Sequence, residues 1–533
     1  MHPFWIVARR WEHQAMAELG FSNWRTCFAV VVYRLCFHPY SKVPGPFWAK
    51  VTNVYSAYHS WTGDMHTDVQ KCHHQYGDVI RYGPSQLLTL HQADLISIYG
   101  HGAPFRKSKG YETMIPLDDG WSTMTSIDKI LHKNLRQTLR SGLGNDYLKR
   151  FEPAILRHLK TFYAELTKDK KPDGWSNAAN MRKWNLYLGF DTMSDFGFGI
   201  STNLLFDSAR DFIFPTLHVH EKKMGLYEQL PTLNNLGIGK VIAEVLVKVS
   251  PQAKRFAEWY ESFLNKAVAA NATESRGIFG PVIQSGLGQA KSPGHNKAQM
   301  IAEGSFSVFS SADAYSITLS GLFHYLSHYP EAYERLAAEL RGMYKPGEEI
   351  VWDSRLESNV YLRAVINEVM RLLPPACGVH WRECEKSGVF VGPNRVPVTT
   401  GSDVGVSVFA LCRDGRIFRD PLRFWPERWI PGTLVEEEFA TARKMFVPFS
   451  IGPRNCAGSH VAVMIASITY AYTLVNYDFR FGPEQQQKVG GGGRGAGYRS
   501  PVEDGEDKEL KFESHYSIAG WDNGPFSELK ARQ

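Results

Sequence analysis

The sequence lacks an uninterrupted apolar run long enough to cross a bilayer. A membrane-spanning helix needs about 20 mostly apolar residues, whereas the best run, Cys27 to Phe37, is interrupted by Arg34. Residues 5–21 have the pattern of an amphipathic surface helix. We therefore predict that residues 1–46, which end in a proline-rich hinge, form a short or interfacial membrane-associated arm. A truncated anchor and a soluble arm packed on the domain are the alternatives.

Paired cysteines and a strong charge of one sign are also missing. The chain of 533 residues has seven cysteines, an odd number, without a CxxC pair. This argues against a disulfide framework or a zinc site, and it fits a reducing compartment. The net charge of +6 is too mild to indicate nucleic-acid binding, but it suits the docking of an acidic redox partner.

One cysteine lies in a distinctive loop, FSIGPRNCAG, from Phe449 to Gly458. Cys456 precedes an apolar run that reads as a buried helix, and a helix N-terminus favours a thiolate. The glycines at 452 and 458 allow close approach of a flat group, and Arg454 can bind a carboxylate. The loop matches every position of the haem-binding signature of the cytochrome P450 family, and the chain resembles that family from about residue 38 to its C-terminus.

Two further motifs occur in the order found in that family. Glu368 and Arg371 are three residues apart on a predicted helix and so share a face. Arg428 lies in a downstream FWPERW segment. The resemblance implies a buried Glu-Arg-Arg triad that supports the cysteine loop and takes no part in the chemistry.

The resemblance also implies a fold class, a cofactor and partners. It implies a mainly α fold with small β-sheets, a single large haem-binding domain over residues 47–533. Within it, residues 482–505 read as a flexible glycine-rich insertion. The implied cofactor is haem b with Cys456 as axial iron ligand. Electrons from NADPH would come through a separate NADPH-cytochrome P450 reductase, because the chain has no second cofactor fingerprint.

The haem carboxylates need partners, and four residues are candidates. His132 and Arg136 are four apart on a predicted helix and so share a face, and they resemble a propionate-binding pair of fungal members. Arg382 follows the Pro374–Pro375 segment, and Arg454 lies beside the cysteine. A surface role for His132 is an equal alternative.

An apolar segment that begins near Ala298 resembles the long family helix that crosses the haem. Its register places Asp313 at the position of the proton-relay acid and Ala314 at the usual threonine. Three interpretations remain open. A nearby hydroxyl replaces the missing one, the substrate supplies it, or the enzyme does not insert oxygen. The protein candidates are Ser310, Ser311, Tyr315 and Ser316, of which Ser310 lies one turn before Ala314.

Three function hypotheses follow. The first is a haem-thiolate monooxygenase on the cytosolic face of the endoplasmic reticulum membrane. It would hydroxylate, couple or ring-modify a hydrophobic small molecule, as in fungal secondary metabolism. The second is a haem-thiolate isomerase, dehydratase or peroxide-driven enzyme that needs no reductase, motivated by Ala314. The third is a non-catalytic haem- or ligand-binding protein, against which the intact cysteine loop and Asp313 argue.

Overall fold

The structure is a computed structural model, and helices dominate it. It describes residues 24–114, 120–207, 212–235, 250–274, 276–280, 297–345, 347–483, 513–515, 518–520 and 524–532. Residues 1–23 of the predicted arm and residues 484–505 of the predicted insertion lie outside this set.

The described helices, numbered in chain order, differ widely in length. They are α1 Trp24–Val32, α2 Phe47–Val51, α3 Val54–Thr62, α4 Met65–Tyr76, α5 Gln92–Tyr99, α6 Lys129–Gly142, α7 Asn145–Leu166, α8 Met181–Phe198, α9 Ile213–Gln229, α10 Pro231–Asn235, α11 Pro251–Thr273, α12 Lys297–His328, α13 Pro330–Met343, α14 Ser354–Glu357, α15 Val360–Leu372, α16 Val408–Cys412, α17 Glu436–Met445 and α18 Ser459–Asn476. A π-helical turn, Tyr33–Phe37, follows α1, and short 3-10 turns span Lys109–Met114, Pro426–Trp429 and Gly452–Arg454.

The strands in the described residues are short and form four small sheets. They are β1 Val79–Gly83, β2 Gln86–Thr89, β3 Phe105–Lys107, β4 Ala179–Asn180, β5 Arg382–Cys384, β6 Val389–Val391, β7 Val396–Val398, β8 Asp403–Gly405, β9 Tyr477–Phe481, β10 Glu513–His515, β11 Ile518–Gly520 and β12 Phe526–Ala531. The largest sheet has the order β1-β2-β8-β5-β3, in which only β2 and β8 pair in parallel. A three-stranded sheet has the order β4-β12-β9, and β6-β7 and β10-β11 are two-stranded.

The long helix α12 lies at the centre of the largest hydrophobic core, which also includes side chains of α7, α8, α15 and α18. Small residues let the helix backbones approach. A Cβ on Gly189 of α8 would lie 2.4 Å from the carbonyl oxygen of Ala312, and one on Gly321 would lie 2.5 Å from a methyl carbon of Val369. These close contacts fix the rotation of α12 about its axis, and so they decide which of its residues face the site.

The sequence predictions for two helices can be compared with the observed ends. Helix α15 begins after Asn359, whose side-chain oxygen accepts a hydrogen bond from the Leu362 N–H at 2.6 Å, and it ends before Pro374, a residue that stops helices. The long helix that the sequence predicts from near Ala298 ends at His328, and a new helix starts at Pro330, because proline has no N–H to continue the hydrogen-bond ladder.

Two other segments add detail to the predictions. Residues 100–124 have no clear periodic pattern in the sequence, which is typical of a loop, yet they contain β3 and the 3-10 turn Lys109–Met114, and β3 pairs with β5. The apolar run Cys27–Phe37 is helical, and Arg34 ties its end to the domain by donating to the carbonyl of Val51 at 2.7 Å. None of the helices in the described part of the chain is both long and apolar enough to cross a membrane.

Candidate functional site

The loop that carries Cys456 connects α17 to α18. The Cys456 N–H donates to the carbonyl of Phe449 at 2.8 Å, and the Asn455 N–H donates to the carbonyl of Gly452 at 3.2 Å. These bonds fold the loop into a tight hairpin whose end is Cys456. Helix α18 starts at Ser459 with Gly458 as its N-cap residue, so the sulfur lies one turn before a helix N-terminus, as predicted.

The two glycines of the loop have different neighbours. Gly452 has φ of +72°, and a Cβ there would lie 1.9 Å from the carbonyl oxygen of Tyr99 at the end of α5. Its close approach is therefore to protein backbone, not to a ligand as the sequence suggested. Gly458 has an ordinary φ of −92°, and a Cβ there would meet no protein atom within 4 Å. Neither backbone conformation nor neighbouring protein atoms explain glycine at 458, and the space beside it suits a bulky group.

The Cys456 side chain is exposed, yet surrounding protein removes it from bulk solvent. Desolvation raises the pKa of the thiol, while the Gly458 N–H and the charge of Arg136 act in the opposite direction. A side chain that is both accessible and desolvated lines an enclosed space. The position of Cys456 near a helix N-terminus is therefore not enough to lower the pKa of its thiol. A cation in that space would stabilise the thiolate.

The predicted triad residues contact each other and are fully buried. Glu368 binds Arg371 at 2.8 Å and Arg428 at 3.0 Å. Burial favours the neutral acid, but the charges and hydrogen bonds of the two arginines, with the Trp425 N–H, lower the pKa of Glu368. The indole Nε1–H of Trp429 donates to Glu368 at 2.9 Å, and the Trp429 ring packs against Phe446 at 4.6 Å. Phe446 lies three residues before Phe449, so the network reaches the start of the cysteine loop.

Helix α6 presents His132 and Arg136 to the same region. Arg136 donates to the backbone carbonyl of Asn455 and, at 2.6 Å, to its side-chain Oδ1, while its Nε is buried without a partner. Desolvation and the nearby charge of Arg454 lower the pKa of His132 to about 3. His132 is therefore a neutral polar side chain in the protein alone, and Arg136 carries the charge of this pair.

Three more cations approach from other elements. Arg454 donates to the carbonyls of Ser126 at 2.7 Å and Ile127 at 2.9 Å. Arg382 is buried on β5, with its guanidinium carbon 4.9 Å from the centre of the Tyr99 ring. Lys107 on β3 was not predicted from the sequence. It is buried and donates to the carbonyl of Met124.

These cations form one cluster that its own protein neighbours do not neutralise. Burial and the charges of Arg382 and Arg454 lower the pKa of Lys107, and burial and Arg382 lower the pKa of Arg454 to about 10. Within the described residues, no carboxylate lies within ion-pair distance of Lys107, Arg136, Arg382 or Arg454. Desolvated cations without anions are costly, so the cluster fits a ligand with two carboxylates. Together with Cys456 and the space at Gly458, the donor set fits haem b.

One face of helix α12 is less buried than the rest of the helix. Residues 307, 310 and 314 are half-buried and Ser311 is exposed, whereas most of the rest of the helix is buried. Of the four candidate hydroxyls, the Tyr315 hydroxyl is engaged by Thr469 at 2.7 Å, and the Ser316 hydroxyl accepts a hydrogen bond from Arg182. Ser310 makes only a long 3.4 Å bond to the Ser307 carbonyl. The geometry therefore leaves Ser310 and Ser311 as the available hydroxyls.

Asp313 lies on the flank of this face and contacts α8. Arg182 forms a buried ion pair with Asp313 Oδ1, and the Arg182 guanidinium also donates to the Ser316 hydroxyl. The other carboxylate oxygen of Asp313 is buried and has no hydrogen-bond partner among the residues that the structure describes. Asp313 is thus no surface acid, and its observed partner is a cation from another helix.

Sequence reasoning missed three charged residues of this region, namely Lys107, Arg182 and Glu303. Glu303 is buried on α12, and its Oε2 accepts the backbone N–H of Thr123. Lys107 and Arg182 lie beside other basic residues in the sequence, as in FRK and MRK, where a buried cation cannot be distinguished from an exposed one. The signal for Glu303 is stronger, because an acidic residue within the apolar stretch of a long helix needs a partner or a role.

Comparison with known proteins gives a consistent result. The family model described as Cytochrome P450 matches residues 43–490. A cytochrome P450 monooxygenase of Gibberella fujikuroi is 29% identical over 526 residues, covering 95% of this chain and 96% of that relative. Two others, from Penicillium oxalicum and Emericella nidulans, are 32% and 31% identical. Each of these two covers 86% of this chain, and the matches span 87% and 92% of the respective relatives.

Proposed function

The chain belongs to the cytochrome P450 family, and from this premise we propose that it is a haem-thiolate monooxygenase of fungal secondary metabolism. Its substrate is a hydrophobic small molecule, which it hydroxylates, couples or modifies in a ring. The observation that carries the proposal is the position of the Cys456 thiol, accessible but desolvated, beside cations without carboxylate partners. The family implies haem, O2 and electrons from a reductase, and we propose NADPH as their source.

Haem, when bound, supplies an iron that activates O2, and a thiolate ligand donates electron density to that iron. The residues of the chain hold and enclose it. Cys456 would provide the thiolate, and Arg382, Arg454 and Lys107 would bind the propionates, with Arg136 and His132 beside them. Phe449 and Gly458 shape the space around the sulfur. The triad at Glu368 positions the loop and does not touch the reacting atoms.

Proton delivery is assigned to α12. We propose that Ser311, with Ser310 beside it, supplies the hydroxyl that Ala314 lacks, because it is the most exposed residue of the less buried face. Asp313 is the acid of this relay. Its Oδ2, which has no partner among the described residues, is the oxygen available to exchange a proton, and Arg182 fixes the other oxygen. A proton leaving Asp313 must pass the helix flank to reach the serines.

The test is turnover by the purified full-length protein with reductase and NADPH. The substrate is identified by comparing metabolites of a host with and without the gene. We expect oxygenated product at the expense of O2, two electrons and two protons, with one oxygen atom leaving as water. Ser311→Ala should release peroxide and lose coupling more than Ser310→Ala. Turnover that needs no reductase or NADPH would instead support the isomerase, dehydratase or peroxide-driven alternative.

We also propose that α1–α3 dock on the cytosolic surface of the endoplasmic reticulum membrane. Most of the large aromatic side chains of this segment are exposed. The exposed ones are Trp24, Phe28, Phe37, Phe47, Trp48, Tyr58 and Trp61. Residues 24–62 contain four Lys or Arg and no Asp or Glu. Aromatic rings suit the headgroup region, and the cations suit anionic lipid.

Vesicle flotation tests the membrane proposal. The full chain should float with vesicles that contain anionic phosphatidylserine and less well with neutral phosphatidylcholine vesicles. Trp48 and Trp61 follow the hinge and so belong to the domain, not to the arm. Replacing both with serine should therefore reduce flotation of the full chain, although its arm is unchanged. Val435→Ser, a change at an exposed apolar residue of another region, is the control. Equal flotation of all variants would contradict the proposal.

A further inference from the structure

We propose that Glu303 is a specificity residue that binds a hydrogen-bond donor, such as a hydroxyl or amine, on an otherwise hydrophobic substrate. The inference rests on the proposed function, since it takes Ser310 and Ala314 to mark the reacting end of the pocket. It adds a chemical requirement for the substrate that neither the family nor the Cys456 loop supplies.

The position of Glu303 on α12 is the first argument. Residues seven apart on an α-helix differ by about 20° in direction, so Glu303 points the same way as Ser310. The two are separated by about 10 Å along the helix axis. The half-buried Ser307 lies between them on the same face. A substrate that lies along this face contacts the serines at one end and Glu303 at the other.

The incomplete bonding of Glu303 is the second argument. Its carboxylate accepts the Thr123 N–H at Oε2, and the Thr123 hydroxyl also lies close enough to lower the pKa of the acid as a donor, although an ionised carboxylate can accept about four hydrogen bonds. In the described part of the chain it forms no ion pair, and Lys107 acts on it only through its charge, which lowers the pKa of the carboxyl. The carboxylate therefore has capacity for a further donor. Because Thr123 precedes α6, the acid lies where the segment that leads into α6 meets α12.

Burial makes this arrangement costly without a ligand. Glu303 is 7% exposed, and desolvation raises the pKa of its carboxyl to about 7. A donor on the substrate would replace the lost hydration of the carboxylate and favour the charged form. Two protein roles compete with this one. Glu303 could merely anchor Thr123, or it could offset the charge of Lys107, which has no carboxylate within ion-pair distance among the described residues.

The test uses imidazoles that carry an alkyl tail, because the ring nitrogen ligates haem iron and holds one end of the probe. For each of several tail lengths, one probe ends in a hydroxyl and its partner ends in a methyl ether, which accepts but does not donate. Binding is measured by the shift of the haem absorption band. At the length that reaches Glu303, the hydroxyl probe should bind roughly tenfold more tightly than the ether, since hydrogen bonds to charged groups contribute most.

Two variants and one matched control decide the interpretation. Glu303→Gln should reduce the hydroxyl preference and Glu303→Leu should abolish it, each with the carbon monoxide band of the thiolate-bound haem intact. Glu152→Gln is the control, because Glu152 is also 7% exposed and accepts one backbone N–H, from Trp352 at 3.0 Å. It should leave the preference unchanged.

The outcomes separate this inference from the proposed function. Equal binding of hydroxyl and ether at every tail length, with normal iron ligation, would overturn the role of Glu303 and leave the haem site standing. A preference that persists in Glu303→Leu would overturn it too, and would assign the donor contact to another residue. Failure of every imidazole to ligate iron would refute the haem-thiolate assignment itself, and the inference with it.

Discussion

The removal of charge from Glu368 should destabilise the protein far more than the removal of a surface charge nearby. The Glu368 carboxylate accepts five hydrogen bonds. They come from Arg371 Nε at 2.9 Å and Nη2 at 2.8 Å, Arg428 Nε at 3.0 Å, the Trp425 N–H at 2.9 Å and Trp429 Nε1 at 2.9 Å. Three of these reach Oε1 and two reach Oε2. The arginines in turn donate to carbonyls of residues 412–423.

The change Glu368→Gln keeps the shape of the side chain and allows the magnitude to be worked out. An amide NH2 in place of either oxygen turns a donor toward at least two of the five donors. The two guanidinium groups, both 0% exposed, lose their only carboxylate partner among the described residues. Breaking a buried ion pair by removing one partner costs on the order of 3–5 kcal/mol. That is a large fraction of the roughly 5–15 kcal/mol that stabilises a typical native protein.

The assay compares haem content and urea unfolding midpoint for Glu368→Gln and Glu427→Gln. Glu427 lies in the same Pro426–Trp429 turn but pairs at 3.1 Å with Arg335, which is 45% exposed, so its loss should cost no more than about 1 kcal/mol. Glu368→Gln should unfold at clearly lower urea and purify with little haem, because the loop behind Phe446 loses its support. Equal midpoints and equal haem content in the two variants would refute this reasoning.

Three further predictions concern the loop and the pH range. Cys456→Ser should lose the red-shifted carbon monoxide band of a thiolate-bound ferrous haem, and retention of the band would exclude Cys456 as the ligand. Gly452→Ala should reduce haem loading, checked by haem content per chain, because its Cβ would overlap the Tyr99 carbonyl, whereas Gly458→Ala should affect the fold less. Burial lowers the pKa of His73 from 6.5 to about 4, and its Nε2 is buried without a partner. Since the unfolded state then binds a proton that the folded state does not, stability should fall as the pH drops from 6.5 to 4, by up to about 3 kcal/mol, and His73→Gln should flatten this dependence in urea titrations.

The sequence allowed the positions of the main motifs to be predicted, because their roles depend on short spacings. Glu368 and Arg371 are three residues apart, so they share a face wherever this segment is helical. Cys456 lies a few residues before the apolar run that forms α18. The end of a helix can be predicted where the signal is local, as at Pro374. The break at Tyr329 is also marked locally, by Pro330, but the apolar pattern continues across it.

Contacts between distant segments could not be predicted in this way. The reason for glycine at 452 is the carbonyl of Tyr99, more than 350 residues earlier, and no local pattern points to it. The buried state of Lys107 depends on β3 pairing with β5, a three-residue ladder too short to leave a periodic signal. A local sequence pattern indicates helices, strands and motifs. The burial of a residue and the partner of its charge depend on which distant elements the fold brings together.

Helix α12 shows most clearly how rotation about one axis decides function. Its motif register was assigned from sequence alone and put Asp313 and Ser310 three residues apart, without saying which of them faces the site. The contact of Gly189 with Ala312 presses α8 against one side of α12, and Arg182 of α8 then takes Asp313 as its partner. The opposite side is left for Glu303, Ser307, Ser310 and Ala314, with Ser311 at its edge. Hence Asp313, the acid expected to deliver protons, is fixed at the flank of α12. Glu303, which no motif marks, lies in line with the serines, and substrate recognition at this face depends on Glu303.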